Sequence, residues 1–141
     1  MRAPKVVLPI VASLLLGACQ AVDGAAGERA LVLQCTVSVT FAAGSSTLSP
    51  DAQRELDTFV KSCGPGLNDS AATLVIEGYA NRTGPAERNT VISQQRVAAV
   101  RSYLFDAKLS AQKIELETYG DTRSSASGGD RRVSVFVKWD S

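Results

Sequence analysis

The sequence contains no histidine. That removes the commonest general base and the commonest metal ligand of proteins. Carboxylate chemistry survives the loss. Yet among the acids near the chain's most motif-like segment, Glu77, Asp121 and Asp130 included, no nucleophile–base pair is visible. No enzyme, cofactor or metal site is expected. A surplus of charge is also missing: 15 Lys and Arg face 14 Asp and Glu, a formal net charge of +1. That balance does not suit a nucleic-acid binder. An apolar run from Val6 to Leu16 is interrupted by Pro9 and Ser13. At about eleven residues it is too short to cross a bilayer, which takes about 20 as a helix. No internal repeat is visible. What is present is 45% hydrophobic residues in a chain of 141, enough for one domain with a packed core.

Residues 1–18 carry the pattern of a secretory signal. Arg2 and Lys5 form a positive start, the Val6–Leu16 run follows, and Gly17 and Ala18 are small. Leu16-Gly17-Ala18-Cys19 resembles the lipobox of bacterial lipoproteins. The resemblance implies that the Cys19 thiol is diacylated, the signal is cut before it, and the new N-terminus is acylated. Several acyl chains on one residue make a stable anchor where a single chain does not. Gln20 after the cysteine implies, by the same resemblance, sorting to the outer membrane. Without Arg2 and Lys5, 13 basic residues face 14 acidic ones, a net charge of −1. Residues 19–29 read as a flexible Ala/Gly-rich tether from Cys19. Its roughly ten residues reach at most about 35 Å when extended. Residues 30–141 form the folded domain.

Along that domain, Leu31, Leu33, Cys35, Val37, Val39 and Phe41 alternate with more polar residues, as in a half-buried strand. Ser49-Pro50-Asp51 opens a helix with a side-chain cap, a first-turn proline and an acid at the positive end of the dipole. Ala52, Leu56, Phe59, Val60 and Cys63 share its apolar face, and Gly64-Pro65-Gly66 is expected to stop it. Thr73–Glu77 is a short buried strand and 78–88 a loop. A second helix is expected over 89–107, with Ile92, Ala99, Val100, Tyr103, Leu104 and Ala107 on one face. Ser110–Lys113 looks like a single turn and Ile114–Tyr119 a third strand. The Gly/Ser-rich loop 121–129 follows, then a fourth strand over 132–139 with Val133, Val135, Val137 and Trp139 on one side. The order βαβαββ implies an α/β (α+β) two-layer sandwich with a mixed sheet.

After Cys19, two cysteines remain. An exported chain meets an oxidising compartment, where an even pair is a candidate disulfide. Cys35 falls near the start of the first strand and Cys63 at the end of the helix that runs back beside it. The spacing therefore permits a bridge. Two buried thiols are the alternative.

The segment Glu77-Gly78-Tyr79-Ala80-Asn81-Arg82-Thr83-Gly84, then Asn89, then Ile92-Ser93-Gln94-Gln95-Arg96-Val97, resembles the OmpA-like peptidoglycan-binding domain family. The peptidoglycan-associated lipoproteins are its nearest type. Phe41–Leu48, Tyr119-Gly120 and Asp130-Arg131-Arg132-Val133 match further motifs of that family in the right order, so the resemblance covers roughly residues 31–139. It implies a non-enzymatic domain that grips the diaminopimelate residue of a peptidoglycan stem peptide. An aspartate would take the ligand's ammonium, an arginine its carboxylate, and backbone of the intervening loop would complete the clamp. Carried over residue by residue, the arginine is Arg96, and Ala80 and Arg82 lie in the loop. Asn89 is expected to tie that loop to the helix. The aspartate's place is held by Asn81, which keeps a carbonyl acceptor and loses the charge. Arg82, with Arg131 and Arg132 if they lie close, would make the pocket more positive.

The implied protein is an outer-membrane lipoprotein with its domain in the periplasm. It binds peptidoglycan non-covalently and links the membrane to the wall. The alternative is an interaction subunit of a secretion, pilus or flagellar envelope assembly that binds an envelope protein and has weakened or lost wall binding.

Overall fold

The computed structural model describes residues 35–123 and 130–141. The signal segment, Cys19, the tether and most of loop 121–129 lie outside the described residues.

The first strand, β1, is Thr36–Thr40, and its alternation turns Val39 inward. Helix α1, Pro50–Cys63, starts as its sequence dictates. Ser49 caps it, its side chain accepting from the Ala52 N–H at 3.2 Å, and Asp51 sits in the first turn. Ala52, Leu56, Phe59 and Cys63 fall on one stripe and are buried. Gly64-Pro65-Gly66 ends the α-helix but does not stop helical winding. Gly64 stays right-handed (φ −53°), and a 3-10 turn runs over Gly64–Asn68 to bury Leu67 completely. Pro65 withholds the N–H that another α-turn would use.

Strand β2, Ala72–Gly78, is buried at almost every position. Helix α2, Ala86–Asp106, begins three residues earlier than the apolar spacing indicates. Pro85 caps it in an extended conformation without a side-chain bond, and Ala86-Glu87-Arg88 make an exposed first turn. The face of α2 also differs from the apolar reading. Val100 and Leu104 are buried as expected, but so are Asn89, Ser93, Arg96 and Val97. No turn forms over 110–113. The chain reverses at Ala107–Lys108 instead, with Lys108 left-handed at φ 67°. Strand β3 is Lys113–Thr118 and β4 is Arg132–Trp139. Trp139, at the strand's end, is 37% exposed while Val133, Val135 and Val137 are buried.

The sheet order is β1-β4-β2-β3. Only the β2–β3 pair is parallel, and α2 supplies the crossover that a parallel pair requires. Strand β4 runs antiparallel to both β1 and β2. Leu74, Ile76, Val133, Val135 and Val39 from the sheet meet Leu56, Phe59, Val97, Val100 and Leu104 from the helices in one core. Cys35 and Cys63 form a disulfide with Cα atoms 5.6 Å apart, closing β1 onto the end of α1. The layers approach closely at Gly78. A Cβ there would stand 2.5 Å from Val97 and 2.7 Å from the Ser93 carbonyl. This contact fixes α2 against the end of β2, where the motif loop begins. No helix among the described residues is long and apolar enough to cross a membrane.

Candidate functional site

Two loops and one helix meet at the same end of the sheet: the β1–α1 loop, the β2–α2 loop and the first turns of α2. Helix α2 carries Arg96 inward, where it is 1% exposed. A guanidinium has five N–H donors in a rigid fork and cannot be left bare in a core. Here three donors go to backbone carbonyls of different segments. Nε bonds the Ser45 carbonyl at 2.9 Å, Nη1 that of Tyr79 at 3.3 Å and Nη2 that of Ala42 at 3.3 Å. Phe41 lies under the guanidinium, 5.3 Å from ring centre to Cζ. Arg96 is thus the peg that holds both loops to α2. Burial, and behind it the charge of Arg131, lower its pKa from the ordinary arginine value.

Above this peg is an open cleft of about 520 Å³. Ala43 and Gly44 of the first loop form one wall, and Ala80, Asn81, Thr83 and Gly84 of the second form another. The α2 wall presents Arg88, Asn89, Gln95 and Arg96, with Val91 and Ile92 as its apolar part. Arg131 closes the ring from the start of β4. Three arginines therefore line the cleft, and no carboxylate does among the described residues.

The side-chain oxygen of Asn81 accepts from the Asp130 N–H at 2.9 Å. That bond fixes the amide's orientation, because an N–H must face the oxygen. Asn89 is buried and donates to Asp121 at 3.1 Å, tying the helix start to the β3–β4 connection. The neighbouring acids are engaged: Asp121 with Asn89, and Asp130 with the Arg132 guanidinium at 2.8 Å.

Of the residues expected from sequence, Ala80, Asn81, Asn89 and Arg96 come together on the cleft. Arg82 does not line it. Its Nε reaches across to the Asp121 carbonyl at 3.3 Å, because the loop turns it outward. The pair Arg131-Arg132 is split by strand alternation. Arg131 faces the cleft, while Arg132 lies over the Tyr79 ring at 3.9 Å. Arg88, one residue before the motif asparagine, carried no signal of its own in the sequence. Its place follows from the early start of α2.

The OmpA family model matches residues 40–134, a stretch that contains every wall of this cleft. A peptidoglycan-associated lipoprotein of Pseudomonas aeruginosa is 34% identical over 112 residues, 79% of this chain and 64% of that protein, so the match spans slightly under two thirds of the relative. Among solved structures, the peptidoglycan-associated lipoprotein from Burkholderia pseudomallei superposes with a TM-score of 0.62 at 19% identity, covering 72% of this chain and 89% of that one. The C-terminal domain of Helicobacter pylori MotB does so with a TM-score of 0.64 at 18% identity, covering 74% and 86%. Both share the fold of two helices on a four-stranded mixed sheet. On the extent of the family match and the identity to its relatives, this chain belongs to the OmpA family.

Proposed function

We propose that this protein is an envelope lipoprotein that grips peptidoglycan non-covalently through the cleft over Arg96 and holds it near a membrane through lipid on Cys19. The observation that carries the reading is the arginine peg: a buried guanidinium at the floor of an open cleft, with two loop walls pinned by its own bonds. Three of its five N–H groups serve the loops. The remaining Nη hydrogens can bond a ligand carboxylate, for which the arginine fork is well matched. The geometry is set before ligand arrives, so little ordering cost attends binding. The name of the Pseudomonas relative, a peptidoglycan-associated lipoprotein, supports the same ligand class. The signal segment and lipobox reading support outer-membrane anchoring with the domain in the periplasm. No chemical step is part of this role.

Co-sedimentation with purified sacculi tests the reading. The full chain is expected to pellet with sacculi, and Arg96→Lys, which keeps the charge and loses the fork, to pellet at least tenfold less. Wild-type protein that stays in the supernatant would overturn the proposal.

A further inference from the structure

The charged side chains of the cleft are all of one sign among the described residues. Arg88, Arg96 and Arg131 line it, and no carboxylate does among the described residues. Asn81 adds to the same bias. Its oxygen is occupied by the Asp130 N–H, so the half of its amide left to a ligand is the NH2. No hydrogen bond from that NH2 exists among the described residues. Arg131 and Arg96 are close enough for each other's charge to matter, and no acid of the cleft separates them. A free ammonium entering here would meet three guanidiniums and, among the described residues, no carboxylate, with only the neutral oxygens of side chains such as Asn89 and Gln95 to accept from it.

We propose, resting on the wall-binding reading above, that the cleft selects stem peptides whose diamino acid carries its carboxylate but has its side-chain amine acylated, as in a cross-link, over stems in which that amine is free. Acylation removes the positive charge and adds an amide carbonyl beside the one N–H that stays. That carbonyl is an acceptor for the Asn81 NH2 and for Arg131, while the carboxylate takes the remaining donors of Arg96. Each group of the ligand then meets a complementary group of the cleft. Specificity arises as much from rejecting the free ammonium as from binding the acylated form.

The test uses the full chain and two soluble stem tripeptides ending in diaminopimelate, one with the side-chain amine free and one with it acetylated, titrated by calorimetry. Wild type is expected to bind the acetylated peptide at least fivefold more tightly. Asn81→Asp, nearly isosteric, is expected to reverse the order, and Arg131→Ala to narrow the wild-type preference. Preference of the wild type for the free amine, or equal affinity within twofold, overturns the proposal and leaves wall binding intact. Binding of neither peptide while sacculi still pellet also overturns it, since the wall is then held elsewhere. Binding of neither peptide and of no sacculi overturns both readings.

Discussion

Arg96 pins two loops through its own bonds, and that role can be separated by measurement from the ligand contact proposed for it. As a peg it holds carbonyls 51 and 54 residues away in sequence. Hydrogen bonds to a charged group contribute about 1.5–3 kcal/mol each, less when they act as a set. Arg96→Ala is therefore expected to cost about 3–5 kcal/mol in urea unfolding, while Arg96→Lys costs less and still weakens wall binding. Tyr79 offers a pH-dependent counterpart. Burial, then its 2.7 Å bond to Glu77, pushes its phenol from 10.0 up to about 12. A pKa raised by folding means the neutral form is favoured in the folded state. The contribution is complete below the unfolded value near 10 and is lost as pH climbs through about 12. The unfolding free energy of wild type is expected to fall between pH 9 and 11.5, by up to about 2 kcal/mol, and Tyr79→Phe to flatten that fall. The position of Arg96 and the exchange at Asn81 were both readable in the sequence, because motif spacing fixes them. The direction of the Asn81 amide was not, because the N–H that sets it belongs to Asp130, 49 residues on.

The elements divide in the same way. Helix α1 is legible from end to end because its cap is local and its buried face is wholly apolar. Helix α2 is less so. Its buried stripe begins with Asn89, Ser93 and Arg96, so apolar periodicity marks only the later turns and hides the true start at Ala86. The stripe is polar there because that part of the helix forms the wall and floor of the cleft. What holds this helix in place is Gly78. Since a Cβ at 78 would press on both Val97 and the Ser93 backbone, Gly78→Ala must push α2 outward. Such overpacking costs about 1–3 kcal/mol, and the shift would also open the cleft. Lower thermal stability together with weaker sacculus binding is the expected pair of results. An unchanged melting temperature would show that the layers can separate freely. The Cys35–Cys63 bridge constrains the other helix. With a sequence separation of 28 between its ends, the chain-entropy relation gives about 3–4 kcal/mol. The double variant Cys35→Ser/Cys63→Ser is expected to lose that much in urea unfolding and to leave the cleft's ligand preference unchanged.

At the scale of the whole molecule, the proposed role gives one chain two attachments, and that changes what the cleft must achieve alone. Cys35, the start of the described domain, lies sixteen positions after Cys19, and covalent geometry limits that span to about 55 Å even when extended. A domain so confined meets any wall within reach at a high effective concentration, and linkage of two sites commonly raises overall retention by about 10²–10⁴-fold without a new contact. In that proposed role, a cleft with the uncharged Asn81 in its wall needs only modest intrinsic affinity to hold peptidoglycan in place. Cutting each attachment separately should expose this dependence. Cys19→Ala is expected to move the protein from membranes to the soluble fraction while its free domain still pellets weakly with sacculi. Arg96→Lys is expected to stay with membranes and to lose sacculi. Lipid vesicles bearing the anchored wild type should retain sacculi at least a hundredfold better than an equal amount of the Cys19→Ala protein. Equal retention by the two would show that the cleft alone carries the load, and membrane retention of Cys19→Ala would place the anchor somewhere other than Cys19.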